Sequence, residues 1–150
     1  MLPVPSNLTV IDAATLCLVN RIRALHGLRG LQPNAELARV ARAQVSVMVR
    51  WNYFADVRPT GQTPLALVAA TRYPARASFS VGQNIAWGTG PNATAAHTMA
   101  AWMESPPHRA IILSGDFRDA GVAVTPSVPA AIGRGRGGAT YAIVFGVRRQ

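Results

Sequence analysis

Ala101-Trp102-Met103-Glu104-Ser105-Pro106-Pro107-His108-Arg109-Ala110-Ile111-Ile112-Leu113 is the stretch on which the fold turns. Just before and within it, Ala96, Met99, Ala100 and Met103 recur on one side of a helix, and Asn92 or Thr94 can cap its start. The spacing predicts a helix over 94–104. Trp102 reads as core packing. Ser105-Pro106-Pro107 reads as a helix stop, because proline disfavours helix in the residue before it. A short turn of helix over His108 to Leu113 follows.

Working outward toward the N-terminus, residues 1–11 read as an extended lead-in, and 12–150 as a single domain. Asp12 is placed to cap a helix over 13–26, with Leu18, Ile22 and Leu25 on one face. Gly27 and Gly30 end it. Asn34 caps a second helix over 35–50, with Glu36 in its first turn and Leu37, Val40, Ala41, Val45 and Met48 as the buried stripe. Arg39, Arg42 and Arg50 read as its solvated side. Trp51 to Gly61 is a loop. Thr63-Pro64 opens a short helix ending near Ala70, with proline at the first helical position. Tyr73-Pro74 breaks it, and Val81 to Trp87 reads as loop and then strand. Toward the C-terminus, segments near 84–87, 121–125 and 140–147 supply a sheet, the last two pairing antiparallel. Between them Pro126 to Gly138, with Gly133-Arg134-Gly135-Arg136-Gly137-Gly138, reads as the mobile tip of a long hairpin.

A chain of 150 residues suits one core. With 49% hydrophobic and 14% charged residues it is a globular composition. The formal net charge of +9, carried by arginine, draws the protein toward anionic surfaces without naming one. The one cysteine, Cys17, permits no intrachain disulfide and reads as a small buried hydrophobe. No apolar run reaches the ~18 residues a transmembrane helix needs. Met1-Leu2-Pro3-Val4-Pro5 lacks the basic and apolar regions of a signal peptide.

Four segments in order resemble the bacterial, extracellular SCP-like branch of the CAP superfamily. Asn20-Arg21-Ile22-Arg23-Ala24-Leu25-His26-Gly27-Leu28, with Leu31 and Leu37-Ala38, is similar to the family's opening N-x-x-R-x-x-x-G-L…L…L-A. Tyr53-Phe54-Ala55-Asp56, then Pro59, Gly61 and Thr63-Pro64, is similar to Y-F-S-H-x-x-P-D-G-x-T-P. Gly82-Gln83-Asn84-Ile85-Ala86 is close to G-E-N-I-A, and the 101–113 stretch resembles A-W-M-x-S-P-G-H-R-x-N-I-L. Asp116-Phe117 and Gly121 to Val124 follow the pattern D-F-x-x-x-G-V-G-V. The likeness spans roughly Asp12 to Gly146. It implies an α+β, three-layer α/β/α sandwich with a central, mainly antiparallel sheet, export to the exterior or the cell envelope, and a cleft where the motifs meet.

In many members of that family a histidine, a glutamate and a second histidine line the cleft and hold a divalent metal. Here Asp56 stands in the first histidine's place, Gln83 replaces the glutamate, and His108 is kept. Glu104 lies four residues before His108, near where some relatives carry a second acid. The closing W-T-Q has become Tyr141-Ala142-Ile143, and Ile111 replaces an asparagine. A primary amide is a poor Zn ligand, and Zn wants three or four good ones. The remaining histidines offer no substitute, His26 reading as a helix-end residue and His97 as a surface one. No metal and no other cofactor is expected, and no catalytic residue is assigned.

These residues predict a non-catalytic binding module with a degenerate metal-site cleft of Asp56, Gln83, His108, Glu104, Tyr53 and Trp87. A lipid or cell-envelope component is the expected ligand, accompanied by weak, salt-sensitive polyanion binding and no sequence-specific nucleic-acid recognition. One alternative is a hydrolase in which Ser105 or Ser80 works with His108 and Asp56, although no nucleophile elbow is present. Another is a non-specific polyanion or nucleic-acid binder, which only the net charge suggests.

Overall fold

The computed structural model describes residues 1–149. Helix α1 covers Leu8–Leu25, strand β1 Gln32–Pro33, helix α2 Ala35–Arg50 and helix α3 Pro64–Ala69. Strand β2, Ser78–Thr89, leads through a 3-10 turn at Gly90–Ala93 into α4, Ala95–Glu104, and α5, Pro106–Ile112. Strand β3 is Asp119–Thr125, α6 is Ala130–Gly133 and β4 is Gly138–Arg149.

The strands form one sheet in the order β1-β3-β4-β2. The β2–β4 and β3–β4 pairings are antiparallel, the latter with Val122 opposite Ile143, while the two-residue β1 runs parallel to β3. On one face, Ile11 and Val19 of α1, Met99 and Trp102 of α4 and Ile112 of α5 pack on Ala120, Val122, Val124, Tyr141, Ile143 and Phe145. On the other, Leu37, Val40, Val45 and Met48 of α2 and Val68 of α3 pack on Ile85, Ala123, Ala142 and Val144. Central strand β4 is buried from Ala139 to Val147 because both faces carry helices. The result is an α+β domain of three layers with a mainly antiparallel sheet.

Helix α2 starts and stops where its sequence says: the Asn34 side chain accepts from the backbone N–H of Glu36 and of Leu37. Thr63 and Thr94 cap α3 and α4 in the same way. Four expectations need correction. Helix α1 begins at Leu8, so Asp12 lies a turn inside it and is no cap. Its buried row is Ile11, Thr15, Val19 and Arg23, with Leu25 left 78% exposed. The polar members of that row escape an apolar periodicity count. Cys17 points outward and is exposed. The 126–138 connection holds α6, whose Ala131 N–H donates to Asn52 Oδ1 at 2.8 Å.

The opening motif turns out to be architectural. Asn20 clasps the backbone of Leu31 with both atoms of its amide, at 2.7 and 3.1 Å. Arg23 is fully buried and donates to the carbonyls of Arg29, Ile112 and Ser114, tying α1 to the end of α5.

Candidate functional site

Strand β2 is the sheet edge on which the candidate site is built, and side chains of consecutive residues leave a strand on opposite faces. Gln83 turns toward α2. Its Nε2 donates to Asp56 Oδ1 at 3.0 Å, and its Oε1 accepts from Gln44 Nε2 at 3.2 Å. Gln44 also donates to the Asp56 carbonyl at 3.4 Å, and its Oε1 accepts from Arg58 Nε at 2.9 Å. Arg58, Gln44, Gln83 and Asp56 thus form one continuous hydrogen-bonded chain between α2, the 51–61 loop and β2. Gln44 and Gln83 are buried, Arg58 is half-buried and Asp56 faces solvent.

Asn84 leaves the opposite face of β2, toward α5, and its Nδ2 donates to the His108 carbonyl at 3.0 Å. Gly82 lies on that face too, where a Cβ would meet Ile111 and Phe117 at 3.1 Å. His108 is half-buried, with Nδ1 at 2.8 Å from Ser105 Oγ. The structure therefore brings Asp56 and Gln83 into direct contact. It ties His108 to the same strand through the neighbouring residue, with no hydrogen bond from the imidazole to either of them among the described residues.

The other site residues are spread around this edge. Tyr53 is half-buried, its hydroxyl lacks a hydrogen-bond partner, and burial raises its pKa above the usual phenol value. Tyr53 stands 6.5 Å, centroid to centroid, from Trp51. Trp87 is exposed on β2 opposite Thr140, and Glu104 is exposed at the last turn of α4. Trp102 is core, and its indole N–H donates to the Ile85 carbonyl at 3.0 Å.

Gln44, Arg58 and Asn84 were missed in the sequence reading. Gln44 carried a usable signal: it interrupts the apolar stripe of α2 between Ala41 and Val45, and a buried amide must find partners.

A divalent metal, which the family resemblance implies, does not fit these residues. Gln83 offers a neutral amide already bonded at both ends, one Asp56 oxygen accepts from it, and His108 Nδ1 is engaged by Ser105. Among the described residues no three His, Cys, Asp or Glu side chains converge. The hydrolase alternative finds one element, the Ser105–His108 contact. That serine opens α5, whose first two residues, Pro106 and Pro107, carry no N–H, so the two foremost backbone donors of the helix start are missing for an oxyanion.

The cysteine-rich secretory protein (CAP) family model matches residues 16–129. Uncharacterized protein YkwD of Bacillus subtilis is 31% identical over 123 residues, 82% of this chain and 46% of that protein. The chain thus spans about half the length of the curated relative it matches. An outer surface protein of Borrelia burgdorferi superposes with a TM-score of 0.75 at 16% identity, covering 91% of this chain and 92% of that one. An extracellular SCP-domain protein of Bacillus anthracis gives 0.73 at 23% identity over 98% of this chain and 44% of that one. At these identities the structural likeness speaks for the fold.

Proposed function

The chain belongs to the CAP family of cysteine-rich secretory proteins, and from that premise we propose that it is a non-catalytic binding domain working outside the cell or on its envelope. Its ligand is a lipid or another envelope component, held near a cleft whose metal-type positions have degenerated. The observation that carries this reading is the closed chain Arg58–Gln44–Gln83–Asp56, in which groups at the family's metal positions are committed to one another. The segment bearing Asp56 and the helix after it also expose Trp51, Val57 and Leu65, apolar surface suited to a lipid-like partner. The extracellular and surface descriptions of the structural relatives support the location.

Two measurements test it. Extraction and mass spectrometry of the purified protein should find a co-purifying lipid or envelope fragment. Zn titration calorimetry should give little heat with the parent, while Asp56→His combined with Gln83→Glu supplies the missing donors and gains affinity. Tight Zn binding by the parent that His108→Ala abolishes would overturn the degenerate-site reading. A hydrolase remains the second reading because Ser105 and His108 touch. Labelling of Ser105 by a fluorophosphonate, lost in His108→Ala, would favour it over binding.

A further inference from the structure

At the edge of the sheet opposite β2, helices α1 and α2 overhang strand β3 and leave a cavity of 440 Å³ between them. That volume falls within the roughly 300–1,000 Å³ of small-ligand sites. Its walls are largely apolar and small, with Ala13 and Leu16 from α1 and Ala38 from α2. Two opposite charges interrupt them. Asp12 projects from α1 and Arg42 from α2, and both line the cavity without forming an ion pair with each other. The Asp12 Oδ1 atom is buried and has no hydrogen-bond partner.

The floor adds a third feature. Strand β1 pairs with β3 only at Asp119 and Ala120, after which the chain turns away into α2. The Asn34 N–H donates to the Ala120 carbonyl at 2.9 Å, so the backbone groups of Ala120 face this edge. Strand alternation then aims the N–H and C=O of Val122 to the same side, at the cavity it lines. An unpaired strand edge is a template for extended backbone.

We propose that this groove binds a short zwitterionic peptide with small side chains, its ammonium on Asp12, its carboxylate on Arg42 and its peptide group along Val122. The two separated charges select a ligand bearing both, and the apolar walls admit only small side chains between them. Because a zwitterion has no net charge, the protein's net charge of +9 does not repel it. The site is independent of the Asp56 cleft, so either reading survives the failure of the other.

Burial raises the Asp12 carboxyl to about 6, with Arg42 of α2 and the Val124 N–H of β3 pulling it back. Burial, with the Asp12 charge adding to it, pushes Tyr141 of β4 up to about 12. The ligand's ammonium prefers the ionised carboxylate, so affinity falls as the pH is lowered through that value.

The probes are alanyl-alanine, its N-acetyl form and its C-terminal amide, titrated into the 15N-labelled protein. Alanyl-alanine should shift the amides of Ala13, Ala38 and Val122, and each capped form should bind at least about tenfold more weakly. Asp12→Asn and Arg42→Gln should each weaken the uncapped probe by about tenfold, and Ala13→Phe should block it by filling the groove. Equal binding of capped and uncapped probes, or saturating shifts confined to other residues, would overturn the proposal. So would the absence of any shift with the parent protein, a result that depends on no variant's folding.

Discussion

The Asp12 carboxyl sits on α1 near the Val124 amide of β3, and burial holds its pKa at about 6 against 3.8 for a free aspartate. Between those two values the folded protein keeps a proton that the unfolded chain has lost. Stability therefore falls as pH rises through that window, and the loss is complete above the folded pKa. The group is only half-buried, so solvent screening limits the effect to about 1 kcal/mol. Asp12→Asn should raise stability by about that amount near pH 8 and change little near pH 3.5, as urea unfolding at the two values would read. Arg23 is the opposite case, a buried cation whose pKa burial lowers and whose donors answer three carbonyls. Arg23→Met leaves those carbonyls without partners and should cost about 3 kcal/mol, measured as a lower urea midpoint.

Between elements, α2 packs tightly on β3 at Gly121. A Cβ on Gly121 would lie 1.9 Å from the Ala38 backbone nitrogen, and no rotamer change relieves a backbone contact. Gly121→Ala should therefore force the helix off the strand and cost about 3 kcal/mol or more. Asn34→Ala, which removes only the cap of the same helix, should cost about 1 kcal/mol, and the two midpoints compared separate packing from capping. Helix α2 was legible to the residue because its cap, charged first turn and apolar stripe agree. Strand β2 was only half legible: Ser78, Ser80, Gly82 and Gln83 lack strand patterning, and this edge strand is held by its ladder to β4. In α1, the true buried row contains Thr15 and Arg23, which an apolar count passes over.

Across the whole molecule, 15 basic residues face 6 acidic ones, and among the described residues only Arg39 and Glu36 form an ion pair, at 3.9 Å. Most of the positive charge is thus open to solvent and counterions. Weak binding to heparin, DNA and anionic vesicles is expected at low salt and should vanish near 1 M, where the screening length is about 3 Å. Retention of one of these partners at high salt would mean a specific site in place of a diffuse field. Among the described residues no helix is long and apolar enough to cross a membrane.

Without coordinates, the family resemblance that the ordered motifs carry implied the three-layer fold, and motif order with local periodicity marked the antiparallel pairing of β3 with β4 and the limits of α2. The same resemblance brought Asp56 and Gln83 under suspicion together, and those two side chains touch. Tertiary structure alone decided which polar groups meet across the chain. Gln44 reaches Gln83 from 39 residues away, and Arg23 reaches the Ile112 carbonyl from 89. It also decided that Asp12 and Arg42 face one cavity. The reason is physical. Helix and strand signals arise from neighbours within a few positions, which the sequence displays directly. A buried polar group takes whatever partner the packing of distant segments presents, and that choice is fixed only when the layers close.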